Sequence, residues 1–162
     1  MSNFSDLIGP SLTLFAGAIA ALLPGIGSAI AVGRAGEVAA GIMTEDPGKF
    51  GKLLIMQALP GTQGIYGLLA WFMVMQQSGL LTGNTNISWQ TGLLFLMAVL
   101  PITIVGLFSA IAQGRTSEAG IAMIAKQPDE SSKAIVLPAM VETYAILALL
   151  ASVLSILNIN MG

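Results

Sequence analysis

The sequence GIGSAIAVGR at residues 25–34 returns, slightly changed, as GLFSAIAQGR at residues 106–115. The two copies lie 81 residues apart. The same offset superposes three further pairs of identical residues, Glu37 with Glu118, Pro47 with Pro128, and Lys52 with Lys133. Gly- and Ala-rich composition alone would not align the same Arg, Glu, Pro and Lys, so the two stretches indicate an internal tandem repeat.

Most charged residues lie in two short segments that begin at the end of each copy. The six basic residues are Arg34, Lys49, Lys52, Arg115, Lys126 and Lys133. Only one charged residue lies in the three long runs between and around these segments, which are residues 7–33, 53–114 and 134–157. A hydrocarbon core of about 30 Å takes about 20 helical residues, so the first and last runs are one span each. The middle run contains a polar, turn-prone stretch at residues 76–86 and therefore holds two spans.

Composition excludes several classes of function. Of 162 residues, 55% are apolar and only 9% are charged, too few to cover the surface of a soluble enzyme of this size. There is no His and no Cys, which excludes Ser-His-Asp triads, thiol catalysis and disulfides. The net charge of −2 offers no basic surface, so no nucleic-acid partner is expected.

These observations predict an all-α membrane protein with four transmembrane helices, arranged as two tandem helical hairpins that run parallel. The expected boundaries are a first hairpin at 1–78 with spans at about 7–34 and 50–77, an extracytoplasmic loop at 79–88, and a second hairpin at 89–162 with spans at about 89–115 and 132–158.

The distribution of Lys and Arg predicts the orientation in the cell membrane. Every basic residue lies in the two segments 34–52 and 115–133, which places both in the cytoplasm and both termini outside. The first six residues lack the basic region of a signal peptide, so no cleavage is expected.

Glu142 is the one charged residue within a predicted span. An Asp at the centre of a membrane helix costs about 2.5–3.5 kcal/mol on insertion scales, and a Glu there is comparably unfavourable, which favours a functional role. Its position, nine residues after Lys133, corresponds to about 14 Å along a helix. The structural alternative is a protonated Glu that is hydrogen-bonded between helices.

Four polar side chains are candidate partners of Glu142. A two-residue slip of the repeat aligns Gln63 with Glu142, and the spacing of Thr62, Gln63 and Tyr66 puts them on one helical face. Gln113 stands where the first copy has a Val. One carboxylate with amide, hydroxyl and carbonyl oxygens favours a hard monovalent cation. Gln113 precedes Arg115 by only two residues. The sequence therefore allows two depths for the ion site, the centre of the membrane or a position nearer its cytoplasmic face.

Three segments carry a resemblance to a known family: LPGTQGIYG at 59–67, GLFSAIAQG at 106–114 and MVETYAIL at 140–147. They are similar to the proteolipid (K, or c-ring) subunits of V-type rotary ATPases, above all to the sodium-pumping bacterial branch. The resemblance implies a ring of identical subunits with one ion-carrying carboxylate on each fourth helix. It also implies a set of Na+ ligands, namely the Glu142 carboxylate, the Gln63 and Gln113 side chains, the Thr62 hydroxyl and the Leu59 carbonyl, with Tyr66 hydrogen-bonded to Glu142.

The resemblance implies a non-catalytic subunit that carries Na+, with Li+ as a substitute, by rotation coupled to ATP hydrolysis. Its implied partners are the other ring subunits, lipid, a membrane stator subunit that supplies an arginine, and a central-stalk subunit at the cytoplasmic loops.

Three alternatives compete with this function. The same ring role with H+ as the coupling ion needs no amide ligands. A small multidrug exporter, which also has four helices and one membrane Glu, is disfavoured by the complete Lys/Arg bias and by an aromatic content of only 6%. A membrane scaffold would not require Glu142, Gln63 and Gln113 together.

Overall fold

The computed structural model describes residues 4–160, and their side chains from residue 7 onward. Five α-helices follow one another as α1 (Phe4–Glu45), α2 (Phe50–Ala58), α3 (Thr62–Gln77), α4 (Trp89–Lys126) and α5 (Ser131–Leu157). No strand occurs in this part of the chain, and the predicted all-α fold is confirmed. The expected absence of cleavage concerns the first six residues, of which residues 1–3 lie outside the described range.

Four helical stretches are long and apolar enough to cross a membrane, Leu7–Glu45, Pro47–Gln77, Trp89–Lys126 and Pro128–Leu157. The second consists of α2 and α3, joined by a 3-10 turn at Leu59–Gly61. Pro60 lies in this turn, where its missing N–H and its ring disfavour a regular α-helical turn. The predicted number of spans is confirmed.

The helices α1 and α4 continue well past the charged residues that were expected to begin loops. The segments 34–52 and 115–133 are largely helical, and the turns shrink to short 3-10 segments at Pro47–Lys49 and Pro128–Glu130. The Ala- and Glu-containing sequences after Arg34 and Arg115 favour helix, and each helix ends just before a proline. The two connecting segments are therefore shorter than the expected loops 34–52 and 115–133. Where the membrane lies along each helix stays a prediction.

The helices α1 and α4 pack side by side and run in the same direction. Contacts between them keep a nearly constant offset, from Gly9 against Gly92 to Ala31 against Gly114. Glycine allows this approach, since a Cβ placed on Gly27 would lie 2.7 Å from the carbonyl oxygen of Leu107. The two hairpins are therefore parallel, as predicted.

Polar contacts join the two hairpins at the end of the molecule where the charged residues cluster. Arg34 Nε lies 3.2 Å from Glu118 Oε1. Lys49 Nζ donates a hydrogen bond of 2.9 Å to the carbonyl of Ala125 in α4. Lys52 Nζ donates one of 2.8 Å to the carbonyl of Pro128. Lys49 thus satisfies a carbonyl of the last turn of α4, which has no partner within the helix, and Lys52 binds the 3-10 turn that follows α4.

Candidate functional site

Glu142 lies on α5, where side chains from two other helices reach its carboxylate. Tyr66 Oη, from α3, donates a hydrogen bond of 2.6 Å to Oε1. Gln113 Nε2, from α4, lies 3.4 Å from Oε2 and donates a longer one. The Glu142 side chain is half-buried in the isolated chain. The carboxylate therefore has one hydrogen-bond donor at each oxygen.

Two glutamines form the buried part of the site. Gln63 and Gln113 are both fully buried, and Gln63 Nε2 donates a hydrogen bond to Gln113 Oε1. Ser109 Oγ is 3.4 Å from Gln63 Nε2 and donates to the carbonyl of Val141, one residue before Glu142. Buried amides are costly unless each is hydrogen-bonded, and this chain of contacts satisfies them.

The 3-10 turn at Leu59–Gly61 supplies the third part of the site. The hydroxyl of Thr62 donates a hydrogen bond of 3.1 Å to the carbonyl of Leu59 and lies 3.4 Å from Gln63 Oε1. The backbone N–H of Thr62 also donates to the Leu59 carbonyl. The turn thus orients this carbonyl and hydroxyl together beside the buried amides.

The structure brings together all six residues that the sequence singled out. They are Leu59, Thr62, Gln63, Tyr66, Gln113 and Glu142, drawn from α3 with its preceding turn, α4 and α5. Sequence reasoning missed Ser109, which links Gln63 to the backbone of α5. It also missed Ser28, whose hydroxyl accepts a hydrogen bond of 2.9 Å from the N–H of Gly64. The internal repeat could have identified both serines, because the 81-residue offset superposes Ser28 on Ser109.

The donor set of the site differs from that of a divalent metal centre. It holds one carboxylate, and among the described residues no group of three or more His, Cys, Asp or Glu comes together anywhere. Calcium takes 6–8 oxygen ligands and commonly several carboxylates. The chemistry fits an ion with a single positive charge.

Two stretches of the chain, residues 15–74 and 96–155, match the family model for the C subunit of ATP synthase. This chain belongs to the ATP synthase C-subunit family. Both ends of the second match lie 81 residues after those of the first, so each half of the internal repeat is one unit of this family. Members of the family form oligomeric rings, and this one is a multi-pass membrane protein.

Two relatives that match along most of this chain bear the name of subunit K. The chain is 47% identical over 150 residues to the V-type sodium ATPase subunit K of Enterococcus hirae, covering 93% of both chains. It is 36% identical over 140 residues to the A-type ATP synthase subunit K of Methanocaldococcus jannaschii, covering 86% of this chain and 59% of that one. The predicted resemblance to proteolipid K subunits is confirmed.

Proposed function

We propose that this chain is the rotor-ring proteolipid of a V-type ATPase and that it carries Na+ across the membrane at Glu142. The observation that carries the proposal is the convergence of one carboxylate with two fully buried glutamine side chains. The similarity to a V-type sodium ATPase subunit K supports the choice of ion. The subunit is non-catalytic by itself, and ATP hydrolysis takes place elsewhere in the complex.

In this proposal, five groups bind the ion: the Glu142 carboxylate, the Gln63 and Gln113 amide oxygens, the Thr62 hydroxyl and the Leu59 carbonyl. Each amide can turn its oxygen toward the ion by a half rotation of its terminal torsion. Tyr66 holds Glu142 through the hydrogen bond to Oε1. The protein oxygens replace the water that the ion sheds, so the buried amides are satisfied in the loaded site.

Transport follows from the charge of the site. A site loaded with Na+ is electrically neutral and can face lipid, whereas an empty, ionised Glu142 cannot do so cheaply. Rotation through lipid therefore requires a bound ion, and an arginine of the stator subunit displaces it. A central-stalk subunit binds the cytoplasmic turns and transmits the rotation. Moving one charge against 100 mV takes about 2.3 kcal/mol, which ATP hydrolysis supplies.

A hydrophobic carbodiimide tests the site, because this reagent modifies a protonated carboxyl group in an apolar setting. We expect the label on Glu142 and expect Na+ or Li+ to slow the labelling. Label on Glu37 or Glu118 would contradict the site.

Glu142→Gln is expected to leave the ring assembled and to abolish ion transport with the coupled ATP hydrolysis. Loss of assembly would instead favour a structural role for Glu142.

The ion itself is tested with Gln113→Val, which introduces the residue of the first repeat. A proton carrier needs only the carboxyl group and an acceptor, and it would leave the two amides as costly polar groups in the membrane. We expect Gln113→Val to weaken the protection by Na+ far more than it changes labelling in the absence of Na+. A labelling rate that does not respond to Na+ near neutral pH would identify a proton carrier instead.

A further inference from the structure

Ser109 is buried on α4, between the Gln63 side chain of α3 and the backbone of α5. Its hydroxyl donates a hydrogen bond of 3.2 Å to the carbonyl of Val141, and its oxygen lies 3.4 Å from Gln63 Nε2. A serine hydroxyl carries a single proton, and a carbonyl can only accept one. Because Ser109 donates its proton to Val141, its oxygen can offer Gln63 only lone pairs.

The amide of Gln63 has two different ends, a nitrogen that donates twice and an oxygen that only accepts. Ser109 Oγ can therefore pair with the nitrogen of this amide and not with its oxygen. The same nitrogen donates its other proton to Gln113 Oε1. With both protons in use, Gln63 Oε1 points to the other side, where it lies 3.4 Å from the hydroxyl oxygen of Thr62.

A reversed Gln63 amide would lose both hydrogen bonds of its nitrogen. Its oxygen would face the lone pairs of Ser109 Oγ and of Gln113 Oε1. Gln63 is fully buried, so bulk water cannot replace the lost hydrogen bonds. The reversed amide would also turn N–H groups toward the Thr62 hydroxyl, where the proposed ion site needs an oxygen.

Gln113 cannot fix this orientation by itself. It is also an amide, and a half rotation of its terminal torsion lets it present either its oxygen or its nitrogen to Gln63. Ser109 offers no such choice while the Val141 carbonyl accepts its proton. The orientation of Gln63 is therefore referred, through Ser109, to a backbone group one residue before Glu142.

We infer that Ser109 is a positioning residue of the ion site, which holds the Gln63 amide with its oxygen toward Thr62 and the cation. Ser109 does not bind the ion itself. Its role rests on the proposed Na+ site, because it sets the orientation of one ligand of that site. The ligand concerned is a monovalent cation, for which an amide oxygen is a suitable donor and an amide nitrogen is not.

Ser109→Ala in the assembled ring tests this role through carbodiimide labelling of Glu142. We expect the Na+ concentration that halves the labelling rate to rise by about 3- to 10-fold, the usual effect of one hydrogen bond. Labelling without Na+ is expected to stay within about two-fold, because the carboxylate keeps its own partners. Ser117→Ala is the matched control, since Ser117 is a fully buried serine of the same helix whose hydroxyl has no hydrogen-bond partner among the described residues. Its Na+ dependence is expected to be that of the unchanged protein.

A double variant separates positioning of Gln63 from a simple link between α4 and α5. In a ring that carries Gln63→Met, titrated to molar Na+ concentrations, adding Ser109→Ala is expected to cause no further loss of protection. A loss by the same factor in both backgrounds would overturn the role, because Ser109 would then act without the amide. Protection of the unchanged protein that Ser109→Ala leaves intact would overturn the role of Ser109 alone. A complete lack of Na+ protection in the unchanged protein would overturn both this role and the proposed Na+ site.

Discussion

At the scale of single residues, the 2.6 Å hydrogen bond from Tyr66 to Glu142 is the shortest contact that the carboxylate makes in the described chain. A hydrogen bond to a charged group contributes about 1.5–3 kcal/mol, which corresponds to about a 10- to 100-fold change in affinity. The bond holds the Glu142 carboxylate in one position beside the buried amides. Tyr66 is therefore expected to strengthen the binding of a cation rather than to act as a ligand.

Tyr66→Phe is expected to raise the Na+ concentration that protects Glu142 from carbodiimide by about 10-fold or more. The measurement is the labelling rate as a function of Na+. Tyr144→Phe is the matched control, because Tyr144 is 65% exposed and its hydroxyl makes no hydrogen bond among the described residues. Equal effects of the two substitutions would remove the role given to the Tyr66 hydroxyl.

The residues of the candidate site were predictable because helical spacing and the repeat both bring them together. Thr62, Gln63 and Tyr66 share a face by i+3 and i+4 spacing, and the repeat aligns Gln63 with Glu142 after a slip of two residues. The order of contacts was not predictable. Gln113, and not Gln63, donates to the carboxylate, because packing among three helices fixes which amide points at which neighbour.

At the scale of helices, Gly67 marks a close approach of α3 to α1. A Cβ on this residue would run into the carbonyl oxygen of Ala20 and would lie 3.1 Å from Pro24. Backbone and proline atoms cannot move aside as a flexible side chain can. The separation of α1 and α3 is therefore set by the absence of a side chain at this position.

Gly67→Ala is expected to destabilise the first hairpin by about 1–3 kcal/mol, the usual range for overpacking. Thermal dissociation of the ring in detergent is the measurement. Gly51→Ala serves as the control, because a Cβ there would meet nothing within 4 Å. Alanine at that helical position is expected to be neutral or to stabilise by up to about 1 kcal/mol. A similar melting temperature for both variants would show that α1 and α3 can separate freely.

The number of helices could be predicted from the charge pattern, but the helix ends could not. Charged residues mark where a helix leaves lipid, whereas a helix ends where its backbone pattern breaks. In α1 and α4 the two points differ, since each helix continues to Glu45 or Lys126, just before a proline. The second span was expected as one helix at about 50–77, and the 3-10 turn at Leu59–Gly61 that interrupts it was not predicted.

At the scale of the whole molecule, the orientation in the membrane is a prediction from the basic residues alone. Asn86 and Asp129 are both exposed and lie near opposite ends of the helical bundle. An impermeant maleimide added to intact cells is expected to label Asn86→Cys and to spare Asp129→Cys. After the cells are opened, both variants should react. The reverse pattern would invert the proposed topology.

The lysine contacts to the end of α4 have a mechanical consequence. Lys49, in the first turn, donates a hydrogen bond to the carbonyl of Ala125 at the end of α4. Lys52, early in α2, donates one to the carbonyl of Pro128 in the second turn. A sideways movement of one turn relative to the other would stretch or break these two hydrogen bonds. A force applied to either turn is therefore carried by both hairpins.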